Sequence, residues 1–194
     1  KISKKIIVKF DKRLIRIFKR KYKNIEFIDN NTDTKEMQYD AHLPLGDLGY
    51  LFRKNIESFD KVEFPYIDID EKICSKVKST YQSKNKIIVG ISWTSKNEEM
   101  GQDKSINLID LIPILRLNSL TFLDLEYGES EKDKRNLYKN SGLKIYKFKD
   151  IDYFNDILAV SSIINSCDLI ITCSNVNAHI AGALGKKTLL LLPL

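Results

Sequence analysis

Three runs of consecutive apolar residues constrain this chain more than anything else in it: Ile87-Ile88-Val89-Gly90-Ile91, Leu169-Ile170-Ile171 and Leu189-Leu190-Leu191-Leu192. A strand with one wet face alternates apolar and polar residues. A strand that is apolar at every position has to be covered on both faces, as in a parallel sheet sandwiched between helices. The segments between these runs carry helical periodicity. The order predicted from residue 87 onward is strands at 87–92, 120–126, 144–148, 168–173 and 188–192, with helices at 108–117, 131–140, 153–166 and 176–184. Such alternation specifies an α/β fold, a Rossmann-like doubly wound parallel sheet.

The part before residue 86 reads as a second α/β unit: strand 6–10, helix 12–22, strand 25–28, and a short strand at 38–42 opening into a helix near 48–54. A helix at 71–81 follows Pro65 and the acidic Asp68–Glu71 stretch, and polar residues 83–85 close it. The expected organisation is a partial domain at 1–70, a linker and helix at 71–85, and a Rossmann-like domain at 86–194. The 194 residues are 43% hydrophobic, with 9 Tyr and 9 Phe, which is material for one sizeable core or two small ones and excludes a disordered tail. No run approaches the roughly 18 to 20 apolar residues of a membrane span, so no transmembrane segment is expected. Cys74, Cys167 and Cys173 form no C-x-x-C and are odd in number, which indicates neither a zinc site nor a disulfide framework and points to the cytoplasm. The chain opens on Lys1 and closes directly after an apolar run, so it reads as cut from a longer protein at both ends.

The net charge of +6 is gathered at one end: residues 1–23 carry 11 Lys or Arg against the single Asp11, whereas residues 86–194 balance. Arg13, Arg16, Lys19, Arg20 and Lys23 fall on one face of the first helix, opposite Leu14, Ile15, Ile17, Phe18 and Tyr22. This is either the solvated face of a packed helix or a surface for an anion or nucleic acid. The buried stripe accounts for the same residues, and nucleic acid is not among the partners expected.

Ligands of doubly wound sheets bind beyond the carboxyl ends of the strands, so the loops after Ser92, Glu126 and Cys173 are where function belongs. After Cys173, Ser174 and Asn175 are both N-cap residues, and Gly185 stands where a left-handed C-cap is wanted. The helix between them therefore aims its N-terminus at the crevice and offers N–H groups near Val176–Ala178 to a phosphate or diphosphate. His179 lies in its first turn or so, where a helical histidine is either a packed or surface residue or a ligand contact. The stretch Gly182–Thr188 superficially matches a P-loop, but its glycines are too close together and it ends a helix instead of opening one. The D-x-D pairs Asp68–Asp70 and Asp150–Asp152 suit helix starts better than a metal, and no metal or cofactor is expected.

Residues 171–193, I-T-C-S-N-V-N-A-H-I-A-G-A-L-G-K-K-T-L-L-L-L-P, resemble the nucleotide-sugar-binding helix and flanking strands of heptosyltransferase-like glycosyltransferases and of bacterial glycosyltransferases fused to tetratricopeptide repeats. G-I-S-W-T-S-K at 90–96 with Asp103-Lys104-Ser105, F-L-D-L-E-Y-G-E at 122–129 and D-I-D-Y-F-N-D-I-L-A at 150–159 are similar to further parts of that donor domain. R-L-I-R-I-F at 13–18 and L-P-L-G-D-L at 43–48 resemble the repeat-fused group. Ser174-Asn175 stands where heptosyltransferases usually have Asp-Thr. The family's glycine-rich opening segment and Trp-rich closing segment do not appear.

The resemblance implies a GT-B fold, with most of the donor domain and the later portion of the acceptor domain. It implies transfer of a sugar from a nucleotide-diphosphate sugar to a hydroxyl of a glycan, lipid or protein. The departing diphosphate gathers negative charge, to be met by the helix N-terminus, by Thr94 and Ser95 as hydroxyl donors, and by Lys104 as cation with Lys96 as second choice. Glu129 is read either as acceptor for ribose hydroxyls or as the acidic start of a helix. Trp93 is read as packing beside the crevice or as a stacking surface for a base. No catalytic base is assigned, since Asp47 fits a helix start. The competing reading is a non-catalytic Rossmann-like module that binds a nucleotide or a partner. Two geometric expectations follow: strands 87–92 and 168–173 lie side by side and parallel, and the N-terminus of helix 176–184 lies within about 10 Å of the 94–104 loop, so that a lysine reaches a shared phosphate.

Overall fold

The structure, a computed structural model, describes residues 5–60, 62–83, 86–97 and 99–192. Residues 84 and 85 of the polar 83–85 break, and the outer ends of the 1–70 and 86–194 ranges, lie outside the described residues.

The fold is α/β with parallel sheets. Its larger sheet holds β3 (Ile87–Ser92), β4 (Leu120–Asp124), β5 (Leu169–Cys173) and β6 (Thr188–Leu191) in the order β4-β3-β5-β6, every pair parallel. The expected side-by-side pairing is present, with Val89 opposite Leu169 and Ser92 opposite Thr172. The chain runs outward from β3 to β4, then crosses back to β5 on the other side. That reversal creates a crevice at the carboxyl ends of β3 and β5.

The apolar runs fill two cores. On one face Ile88, Leu123, Leu125 and Ile170 pack against α7 (Ile157–Ser166), α8 (Val176–Ala183) and α3 (Glu71–Tyr81), joined by Ile17 from α1 (Lys12–Lys19). On the other face Val89, Ile91, Phe122 and Ile171 meet Leu108 and Leu111 of a 3-10 turn, Leu115 of α5 (Ile112–Leu115) and Leu137 of α6 (Glu131–Ser141). Gly90 is needed where it stands: a Cβ there would lie 2.6 Å from Leu125 Cδ1 and 2.8 Å from Ile170 Cδ1.

The first part is a two-stranded parallel sheet, β1 (Ile6–Phe10) with β2 (Ile25–Asp29), joined by α1. Phe10, Phe18 and Phe27 form an aromatic cluster beneath it, with Phe10 5.6 Å from Phe18 and 5.5 Å from Phe27 between ring centroids. Ile17 is the fully buried residue of α1. The basic face turns out to be tied internally: Arg13 stacks over Phe154 at 4.7 Å, Arg16 meets Asp156 at 3.4 Å and Arg20 meets Asp68 at 2.9 Å.

Several elements differ from expectation. The strand predicted at 144–148 shrinks to one bridge, Leu123 with Tyr146, because the chain turns so that Phe148 enters the core while Tyr146 stays half-exposed. Helix 108–117 is a 3-10 turn, Leu108–Leu111, followed by α5, with Pro113 in its first turn. Helix 153–166 begins at Ile157, because Asp156 caps it by accepting from Ala159 N–H, while Asp152 instead closes a turn on the N–H groups of Phe154 and Asn155. Helix 12–22 stops at Lys19 and the helix near 48–54 is α2 (Asp47–Phe52). Residues 38–42 form no strand, and their side chains remain largely exposed.

Candidate functional site

The crevice end of the sheet is organised by Asn175, which is buried at 7% exposure. Of the two cap residues expected, it is Asn175 that caps α8, its Oδ1 accepting from Asn177 N–H at 2.9 Å. The same oxygen accepts from the Thr172 hydroxyl at 3.1 Å. Its Nδ2 donates to Ser92 Oγ at 3.1 Å and to the carbonyl of Thr94 at 3.0 Å. Ser92 and Thr172, opposite each other in the sheet, share a hydrogen bond of 2.6 Å. One side chain thus joins the end of β3, the end of β5 and the start of α8, and the helix N-terminus abuts the loop after β3 as the spacing argument requires.

The helix offers fewer free donors than its position implies. Asn177 N–H is held by its own cap and Ala178 N–H bonds the Asn175 carbonyl at 3.2 Å. Val176, 40% exposed, is left as the first-turn residue whose N–H faces no acceptor among the described residues. The positive end of the helix dipole still points at the crevice. Asn177 turns inward to bond the Leu125 carbonyl at 3.0 Å. Ser174 is half-buried and His179 exposed.

The two sides of the loop after β3 are tied together by hydrogen bonds. Ser95 N–H donates to Ser105 Oγ at 3.0 Å, and that hydroxyl donates to the Gly101 carbonyl at 2.6 Å. A Cβ on Gly101 would sit 2.6 Å from the Ser95 carbonyl oxygen, so the close approach demands glycine. Lys104, the candidate cation, is half-buried in α4 (Gly101–Lys104), whose turn folds back under Ser95. Lys96 is exposed, its N–H bonded to the Tyr127 hydroxyl at 3.0 Å and its ammonium against Gly128. Trp93 is 1% exposed and its indole N–H bonds Asp133 at 2.9 Å. That settles it as packing and removes it as a stacking surface.

Two buried acids that the sequence reasoning passed over control the third loop. Asp124 is wholly buried and is held by Lys134 at 3.1 Å, Lys147 at 3.5 Å and the Ser130 hydroxyl at 2.6 Å. Glu126, 2% exposed, accepts from the N–H groups of Trp93 and Thr94 through Oε1 and from the Thr94 hydroxyl through Oε2. The hydroxyl proton of Thr94, expected to serve a phosphate, is thus committed to a carboxylate. Burial pushes the Glu126 carboxyl above its ordinary range despite the hydrogen bonds from Thr94 and Trp93 that oppose it. The signal for both acids was present: Asp124 and Glu126 alternate with apolar residues in F-L-D-L-E, which places them on one buried face where each needs partners. Glu129 is exposed, just before Ser130 and α6. Asp70 caps α3, and no group of three His, Cys, Asp or Glu suited to a metal occurs among the described residues.

No family model matches the chain. It is similar to protein FlbA of Caulobacter vibrioides, 27% identical over 104 residues, which are 53% of this chain and 17% of that protein. Among solved structures it is similar to a glycosyl transferase family 9 protein of Veillonella parvula, with a TM-score of 0.60 at 12% identity, covering 97% of this chain and 72% of that one. It is also similar to the ADP-heptose lps heptosyltransferase II of E. coli, with a TM-score of 0.48 at 14% identity, over 65% of this chain and 39% of that one. The chain therefore spans well under half of FlbA and of heptosyltransferase II. The fold is that of the GT-B glycosyltransferases. Among the described residues, no helix is long and apolar enough to cross a membrane.

Proposed function

We propose that this chain carries the donor side of a glycosyltransferase. In this reading a nucleotide-diphosphate sugar lies across the carboxyl ends of β3 and β5, and its glycosyl group passes to an acceptor hydroxyl of a glycan, lipid or protein. Residues 86–194 form the donor domain, residues 1–70 part of the acceptor side, and residues 71–85 connect them. The single observation that carries the reading is the Ser92–Thr172–Asn175–Thr94 network, which draws the start of the loop after β3 and a helix N-terminus together at the reversal of strand order. A GT-B fold gives that crevice its donor-site meaning.

The chemistry asks for little beyond charge compensation. As the glycosidic bond to the diphosphate lengthens, charge builds on the leaving oxygens, and fixed donors stabilise it without reorganising. Val176 N–H, the dipole of α8 and the Ser95 hydroxyl supply such donors, with Lys104 or Lys96 as the cation. The chain's own groups meet the anion, so this reading invokes no metal. Ser174 and His179 border the same helix start, and Glu129 is the candidate acceptor for ribose hydroxyls.

The test is titration of ADP-, GDP- and UDP-glucose against the chain, with the bound nucleotide then located structurally. Binding of at least one, with its phosphates against Asn175–Ala178 and Lys104, supports the reading. Failure of all three to bind overturns it. Phosphates bound elsewhere would leave a nucleotide-binding module without this donor site.

A further inference from the structure

We propose that Glu126 is a proton-linked positioning residue: when an anion docks beside Thr94, Glu126 takes up one proton from solvent and keeps it on Oε2 as a hydrogen-bond donor to the Thr94 hydroxyl, which then turns its own hydrogen to the anion. The inference rests on the donor-site reading above. It is carried by the hydrogen-bond geometry at the end of β4. Glu126 Oε1 accepts from two backbone N–H groups, of Trp93 and of Thr94 at 2.8 Å, and Oε2 accepts from Thr94 Oγ1. On its other side the half-buried Thr94 is joined to the α8 cap through Asn175.

A hydroxyl owns one hydrogen and two lone pairs. With Glu126 ionised, that hydrogen is committed inward, so Thr94 presents only lone pairs to the crevice, with a negative charge behind them. Both features repel an anion. Protonation at Oε2 reverses both, since the carboxyl O–H donates to Thr94 Oγ1 and the threonine hydrogen is released outward. No covalent bond other than O–H forms or breaks. Oε1 keeps its two N–H donors, so the loop stays in place.

The surroundings favour the uptake. Asp124, the last residue of β4, is wholly buried and pairs with Lys134 and Lys147, whose ammonium groups are thereby engaged away from Glu126. Lys147 also donates to the main-chain carbonyl of Glu126 at 2.7 Å, not to its carboxylate. Tyr127 and, from β5, Cys173 are the other titratable groups beside it, and both are raised by burial. Lys96 from the facing loop rests against Gly128. Among the described residues, no lysine or arginine pairs with the Glu126 carboxylate, whose affinity for a proton is already raised by burial.

The experiment is calorimetric titration of ADP-, GDP- and UDP-glucose in two buffers of different ionisation enthalpy, at about pH 6 and about pH 8, with wild type, Glu126→Gln and Thr94→Val. The diphosphate of a nucleotide sugar stays fully ionised across this range, so any uptake belongs to the protein, and His179 is common to all three proteins. Wild type should take up more protons per ligand than Glu126→Gln, with the difference approaching one, and should bind more tightly at the lower pH. The glutamine amide donates to Thr94 as the acid would, so Glu126→Gln should bind about tenfold more tightly than wild type at the higher pH, equivalent to about 1.4 kcal/mol. Thr94→Val should lose the gain at low pH, its affinities being compared at a temperature well below its own melting transition. Equal proton uptake by wild type and Glu126→Gln, or weaker binding by Glu126→Gln when its melting temperature is not lowered, overturns the proposal alone. If neither protein binds any of the three sugars, the donor-site reading falls and takes this proposal with it.

Discussion

The Asn175 side-chain amide donates to the Thr94 carbonyl at 3.0 Å across 81 residues of sequence. This single contact fixes the distance between the start of α8 and the loop after β3, because the other atoms of the same amide are bound to Ser92, Thr172 and the helix itself. A capping residue ordinarily serves one helix. Here it also sets the width of the crevice.

Asn175→Ala should therefore cost more than a lost cap. Removing the cap and leaving the Ser92 and Thr172 hydroxyls short of a partner predicts a loss of about 2 to 3 kcal/mol, read from urea unfolding. Asn175→Asp retains the acceptor for Asn177 N–H and loses the donor to Thr94. It should keep α8 intact while amide exchange quickens in the 94–96 segment. Unchanged exchange there would show that the loop does not depend on this bond.

Stability should also depend on pH through Glu126. Its folded carboxyl is raised above the unfolded value by burial, so between those two values the native state holds a proton that the unfolded state has released. Stability then falls as pH rises through this window and is regained on acidification toward the unfolded value. Glu126→Gln should flatten that slope and melt at or above the wild-type temperature at pH 7. A wild-type slope that persists in the variant would assign the effect to another group.

The attachment of α1 separates packing from charge. Ile17 is 3% exposed within the main core, so Ile17→Ala should cost about 2 to 5 kcal/mol by chemical denaturation. Arg16→Ala, which breaks a largely exposed pair with Asp156, should cost under about 1 kcal/mol and lose even that in high salt. Comparable losses from the two changes would mean that charge, and not the apolar stripe, holds the first unit in place.

Lys104→Ala tests the cation directly. If the donor-site reading holds, it should weaken nucleotide-sugar binding by about 1 to 3 kcal/mol, the scale of one charge-assisted hydrogen bond. His179→Ala should act in the same direction and more weakly. Because Lys104 is half-buried, the variant's melting temperature has to be measured beside its affinity.

What could be read from the chain in advance was whatever a local rule governs. Doubly apolar strands declare a covered sheet, and Gly185, at φ 68°, stands at the left-handed position expected after α8. Asn175 was legible as a cap but not as a bridge, because its partners Ser92 and Thr94 become neighbours only when β3 and β5 pair. Glu126 and Asp124 were overlooked for the same reason: an acid's role depends on which backbone groups the sheet delivers to it. The lost strand at 144–148 was decided by the tertiary demand that Phe148 be buried, which outweighed strand propensity in Lys144–Phe148.

The far end of α8 adds a mechanical consequence. Its last carbonyls reach the segment before α3: Tyr66 N–H bonds the Ala183 carbonyl at 3.1 Å, and Gly185 packs so tightly on Phe64 that a Cβ would come within 2.8 Å. The Tyr66 carbonyl in turn accepts from the hydroxyl of Tyr22, just past α1, at 3.1 Å. A short helix is a stiff strut, and this one is pinned at its head by the loop after β3 and at its foot by Phe64 and Tyr66. With both ends anchored, the crevice is braced from the stretch before α3 as well as from the loop after β3.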